Sequence, residues 1–158
     1  MLYKKLLVPF DRSEHSQHAL KLAVKMVADD PAAEIVVFRS IAGVRDVGIV
    51  YGRGMEGTGY VDENTKDRIL NLRAKQLDAA KKQTEEDAAP HLEGVKNPVT
   101  YLVEFDPTPV EGVLDAIKKT GADGVVIGCR GMNAVSGMLG SVSYGVARSA
   151  DVPVTVVK

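Results

Sequence analysis

Residues 4–41, KKLLVPFDRSEHSQHALKLAVKMVADDPAAEIVVFRSI, decide the fold. Leu6 to Phe10 is an apolar run without alternation, the pattern of a strand covered on both faces of a parallel sheet. It stops at Asp11. From there Ala19, Leu20, Ala23, Val24 and Val27 form one apolar stripe at helical spacing, with Asp11 or Ser13 as the helix cap. Asp29, Asp30 and Pro31 break the helix, and Glu34 to Ile41 is a second β-branched run of strand length. The unit is β-α-β.

Working outward, the same alternation continues. Residues 43–61 hold six glycines without a sustained period and mark an irregular insertion, expected to act as a lid over a site. Residues 62–89 read as a long helix with an apolar stripe through Ile69, Leu70, Leu72 and Leu77 and a solvated charged face. Val99, Tyr101 and Val103 alternate as a third strand. Thr108, Pro109 and Glu111 then form a capping box with proline at the first helical position, ahead of the face Val110, Val113, Leu114 and Ile117. Gly124 to Gly128 is a fourth strand, residues 140–149 a short helix and Val152 to Val157 a terminal strand. The expected fold is α/β: one Rossmann-like domain over residues 1–158, an open parallel five-stranded sheet with helices on both faces and right-handed crossovers.

Composition narrows the function. At 158 residues there is room for one domain of ordinary size, at roughly 100–200 residues each. Its 20 basic and 21 acidic residues nearly cancel, which leaves no general attraction for nucleic acid or anionic lipid, so neither is expected as a partner. The single cysteine, Cys129, cannot form an internal disulfide, and the apolar run near the N-terminus is too short for a signal peptide or a membrane span. A cytoplasmic location is the expectation.

In an open α/β sheet, ligands bind beyond the carboxyl ends of the strands where strand order reverses. Two strand ends stand out. Asp11 follows the first strand directly, where its carboxylate either caps the helix or accepts hydrogen bonds from sugar hydroxyls. The second is GCRGMNAVSGMLGSVS, residues 128–143. Gly128 and Gly131 allow a sharp turn and close approach to a ligand. Gly140 and Ser141 open a helix whose free N–H groups and dipole favour phosphate oxygens, and the hydroxyls of Ser141 and Ser143 add donors. A glycine-rich turn with a serine cap is the plain structural alternative.

Other signals carry less. Gly52, Gly54 and Gly57 match the dinucleotide fingerprint without the strand and helix it requires, and no lysine makes the stretch a P-loop. His15 and His18 have no third metal ligand near in sequence, and Cys129 has no adjacent histidine to act as a base. Arg130 suits a phosphate clamp or a solvated surface equally.

Over essentially its whole length the chain resembles the universal stress protein family, in its nucleotide-binding branch. The start KKLLVPFDRSEHSQHAL, the GADGVVIG strand, the loop from Gly128 and Gly131 to Gly140-Ser141, and the ending SADVPVTVVK carry the resemblance. It implies binding of ATP, with AMP and ADP as alternatives, and Mg or Mn held through the phosphates. It further implies that the loop holds the phosphates, that Asp11 contacts the ribose and that main chain at the first two strand ends frames adenine. The residues so implicated are Pro9, Asp11, Ser40, Ile127, Gly128, Arg130, Gly131, Gly140, Ser141, Val142 and Ser143. Ser40 and Phe105 depart from the family's usual residues, and the Gly131–Gly140 interval is one residue shorter. The resemblance also implies a homodimer through the strand at 152–157. The functional expectation is a nucleotide-dependent stress-response regulator with at most slow ATP hydrolysis; the rivals are a nucleotide hydrolase or adenylyl-transfer enzyme, and a protein-interaction module without nucleotide.

Overall fold

The structure is a computed structural model that describes residues 2–43, 63–131 and 139–158. The expected lid beyond Gly43, the fingerprint glycines and the shortened interval at 132–138 lie outside the described residues. Among the described residues five strands, β1 (Lys5–Pro9), β2 (Glu34–Ala42), β3 (Val99–Asp106), β4 (Gly124–Gly128) and β5 (Val154–Val157), alternate with four helices. These are α1 (Glu14–Val27), α2 (Glu63–Ala88), α3 (Pro109–Thr120) and α4 (Ser141–Ser149). All strand pairs are parallel and the order is β3-β2-β1-β4-β5. The order therefore reverses between β1 and β4.

The continuous apolar strands are sandwiched, as their lack of alternation implies. On one face Leu6, Val8, Ile35 and Val37 pack against Ala19, Leu20, Ala23 and Val27 of α1 and Ala88 of α2. On the other, Leu7, Val36, Phe38, Val125 and Ile127 meet Val113, Ala116 and Ile117 of α3 and Val146 of α4. Two helices start at side-chain caps. Ser13 caps α1, its hydroxyl accepting from the Ser16 amide. Thr108 caps α3 and also donates its hydroxyl to Glu111 Oε2, while Gly121 closes that helix at φ 68, a conformation natural to glycine.

Two expectations change. The terminal strand starts at Val154, with Val152 outside the ladder. The leucine stripe of α2 does not enter the core: Leu72 is 61% exposed and Leu70 45%, and only Thr84 and Ala88 near the C-terminal end are buried. A helix of this length overhangs the five-stranded sheet and docks by its last turns. Among the described residues no helix is long and apolar enough to cross a membrane.

Candidate functional site

The reversal between β1 and β4 opens a crevice at the carboxyl edge of the sheet, and a cavity of about 620 Å³ fills it. All eleven residues singled out from the sequence line it. Pro9 and Asp11 come from the end of β1, Ser40 from β2, and Ile127, Gly128, Arg130 and Gly131 from β4 and the turn after it. Gly140, Ser141, Val142 and Ser143 come from the start of α4. Phe10, Arg12, Ser16, Phe38, Arg39, Pro109, Val113 and Leu139 complete the lining.

The two glycines after β4 are dictated by contact. A Cβ on Gly128 would lie 2.7 Å from the main-chain carbon of His15, so α1 can approach β4 this closely only past a residue with no side chain. A Cβ on Gly131 would lie 2.7 Å from Asp11 Oδ2. The glycine turn and the β1 carboxylate are thus in direct contact. Asp11 is not the helix cap; its Oδ1 accepts from the Ser13 amide at 3.0 Å, an Asx-type turn that fixes the carboxylate and leaves capping to Ser13. The Ser13 hydroxyl also reaches the Arg130 carbonyl at 3.4 Å, a weak tie between the two strand ends.

The amides of Ser141, Val142 and Ser143 occupy the first turn of α4, where no intrahelical acceptor exists. Among the described residues no side chain caps this end. The first helical bond is donated by Tyr144 to the Gly140 carbonyl. The Gly140 amide is already committed to the Cys129 carbonyl at 2.7 Å. So is the Ser143 hydroxyl, which is buried and shares its proton between the Cys129 and Gly140 carbonyls at 2.9 Å each. This corrects the reading of Ser143 as a hydroxyl donor to ligand: its side chain pins the turn, and only its amide faces the free end of the helix. Ser141 remains exposed and able to donate.

Charge in the cavity is lopsided. Arg12, Arg39 and Arg130 line it against one carboxylate, Asp11, among the described residues. Arg130 has a buried Nε with no acceptor. Arg12 adopts φ 71, the left-handed region, at a cost of about 1–2 kcal/mol for a residue with a Cβ. Its Nε stands 3.7 Å from Asp87 Oδ2 at the end of α2. Arg39 donates to Thr84 Oγ1 of the same helix at 3.3 Å. Burial and then the neighbouring Arg12 charge press the Arg39 pKa below its ordinary value, opposed by Asp87 and Asp11.

The rest of the lining is largely apolar, with Phe38, Val113, Ile127 and Val142 in the same cavity as Ser40. Cys129 is buried, with its amide and carbonyl both in main-chain bonds. Among the described residues no three histidine, cysteine, aspartate or glutamate side chains converge on a metal position. His18 is exposed near Glu14, and His15 serves packing against Gly128.

A doubly wound parallel domain with a cavity at its switch point belongs to the open α/β class, in which that crevice is the usual place for a ligand. Comparison with known proteins makes this specific. The model of the universal stress protein family matches residues 2–158. Universal stress protein YxiE of Bacillus subtilis (strain 168) is 31% identical over 158 residues, spanning 99% of this chain and 100% of the relative. The chain belongs to the universal stress protein family. Among solved structures, a universal stress protein in complex with cAMP shares the fold at TM-score 0.61 and 19% identity, over 100% of this chain and 98% of that one. The universal stress protein from Archaeoglobus fulgidus in complex with dAMP does so at TM-score 0.56 and 19% identity, over 100% of both chains.

Proposed function

We propose that this protein is an adenine-nucleotide-binding stress regulator whose preferred ligand is ATP. One observation carries the reading: apolar side chains, a carboxylate and a set of free helix amides line a single cavity, the three kinds of surface that base, sugar and phosphate require. Phe38, Val113 and Ile127 sandwich the base, and Ser40 adds a polar edge to that wall. Asp11 accepts from ribose hydroxyls. The amides at 141–143, the Ser141 hydroxyl and Arg130 hold phosphate oxygens, and Gly131 and Gly140 leave room for them. The complexes of two relatives with cAMP and dAMP support the adenine preference.

A Mg or Mn ion fits this reading as a passenger on the phosphates, where it neutralises their charge, because among the described residues the cavity offers Asp11 alone as a carboxylate. The same scarcity argues against an efficient hydrolase: turnover needs an oriented water and a base, and Asp11 is already engaged by the Ser13 amide and the sugar. Turnover of MgATP is therefore expected below about 1 s⁻¹, the lower end for evolved enzymes, measured as phosphate release. The protein acts in the cytoplasm as a homodimer joined through the free edge of β5, and nucleotide occupancy is what it reports. Native mass spectrometry of the protein as purified, followed by denaturation, tests the ligand. Release of AMP, ADP or ATP is expected; a protein that arrives empty and stays empty after equilibration with millimolar MgATP overturns the reading.

A further inference from the structure

The cavity has two further cationic side chains that the nucleotide reading does not use. Arg12 and Arg39 both line it and both reach α2, through Asp87 and Thr84. Both side chains contact the last turns of α2, and the Arg12 charge lies near enough to help burial depress the Arg39 pKa. Their compensation is thin. Among the described residues Arg39 has one hydrogen bond, to the neutral Thr84 hydroxyl. Arg12 has one ion contact, at 3.7 Å, too long for a hydrogen bond. The Asp87 oxygen it approaches is buried and accepts no hydrogen bond from any group. Among the described residues the two guanidinium groups thus have one poorly placed carboxylate between them, and Arg12, 41% exposed, keeps N–H donors open to a ligand.

Asp11 directly precedes Arg12 in the chain and touches Gly131 in space, so a sugar bound at Asp11 has two anion-attracting groups within the same cavity, the glycine turn and the arginine pair. An unmodified ribose exploits only one of them. We propose that Arg12 and Arg39 form a second anion subsite that takes a phosphate carried on the 2′ or 3′ hydroxyl of the bound nucleotide's ribose. The inference rests on the nucleotide reading above. Planar guanidinium forks match phosphate oxygens two at a time, and phosphate would replace Asp87 as their counter-charge. The left-handed backbone at Arg12 turns the chain at the cavity rim directly after Asp11.

Calorimetric titration of the full chain with AMP, adenosine 3′,5′-bisphosphate and adenosine 2′,5′-bisphosphate tests the subsite. At least one bisphosphate is expected to bind about ten-fold or more tightly than AMP. In Arg12→Gly, which suits φ 71, and in Arg12→Gln, the ratio is expected to fall to about one. Asp87→Asn, which removes the competing carboxylate, is expected to raise it. Equal affinities for AMP and both bisphosphates, or a preference that survives both Arg12 variants, overturn the subsite and leave the nucleotide reading standing. Failure to bind any of the three or MgATP overturns both.

Discussion

Gly131 and Gly128 are glycines for different reasons, and substitution separates them. At Gly131 an added side chain meets the Asp11 carboxylate and not backbone, and the carboxylate can turn aside by giving up its bond to the Ser13 amide, so Gly131→Val is expected to lower the melting temperature only slightly. It should cost ten-fold or more in MgATP affinity, at least about 1.4 kcal/mol, because the carboxylate and the turn are displaced together. At Gly128 the obstacle is the backbone of α1, which cannot yield cheaply. Gly128→Ala is expected to destabilise by about 1–3 kcal/mol, seen as a lower thermal midpoint with or without nucleotide. Both glycines were legible in the sequence because a strand end followed by glycine has few uses. Arg12 and Arg39 were not: their place in the cavity depends on where the last turns of α2 dock, a tertiary fact with no local signature. Nor was the fate of the Ser143 hydroxyl, since a serine at a helix start serves a ligand or its own loop with equal economy.

Between elements, Glu34 ties three strands together. Its carboxylate accepts from Thr100 of β3 at 2.6 Å and pairs with Lys5 of β1 at 2.9 Å. The Thr100 hydrogen bond and then Lys5 hold its pKa below the ordinary value. A lowered folded-state pKa means that the unfolded chain binds the proton first. The stabilisation is complete above the ordinary glutamate value and is lost as pH falls through the lowered one. Unfolding midpoints in denaturant are expected to drop over that acid interval, and Glu34→Gln should remove this part of the slope. Helices divide in the same way by contact. Leu20→Ala, fully buried in α1, is expected to cost about 2–5 kcal/mol, while Leu72→Ala on the overhanging part of α2 stays within about 0.5 kcal/mol. The type and order of the elements could be read because buried parallel strands and amphipathic helices have different periods. The stripe on α2 misled, since a period shows which face is apolar and not whether the sheet extends far enough to cover it.

At the scale of the molecule, β5 leaves one edge of the sheet open. The carbonyls of Pro153 and Val157 accept from Val125 of β4 and from Cys129 just after it, so by strand alternation the main-chain groups of Val154 and Val156 face outward. The homodimer reading makes a sharp test of this. Val156→Pro removes an outward donor without touching the β4 ladder, and light scattering is expected to show the mass fall from twice 16.9 kDa to 16.9 kDa. An unchanged mass would place the interface elsewhere. The central claim concerns the ligand, and calorimetric titration with MgATP tests it most directly. The expected result is saturable binding in the micromolar to millimolar range, about 4–8 kcal/mol, that disappears in a folded Gly131→Val variant. No heat of binding at millimolar MgATP, or the same affinity in the variant, would contradict it.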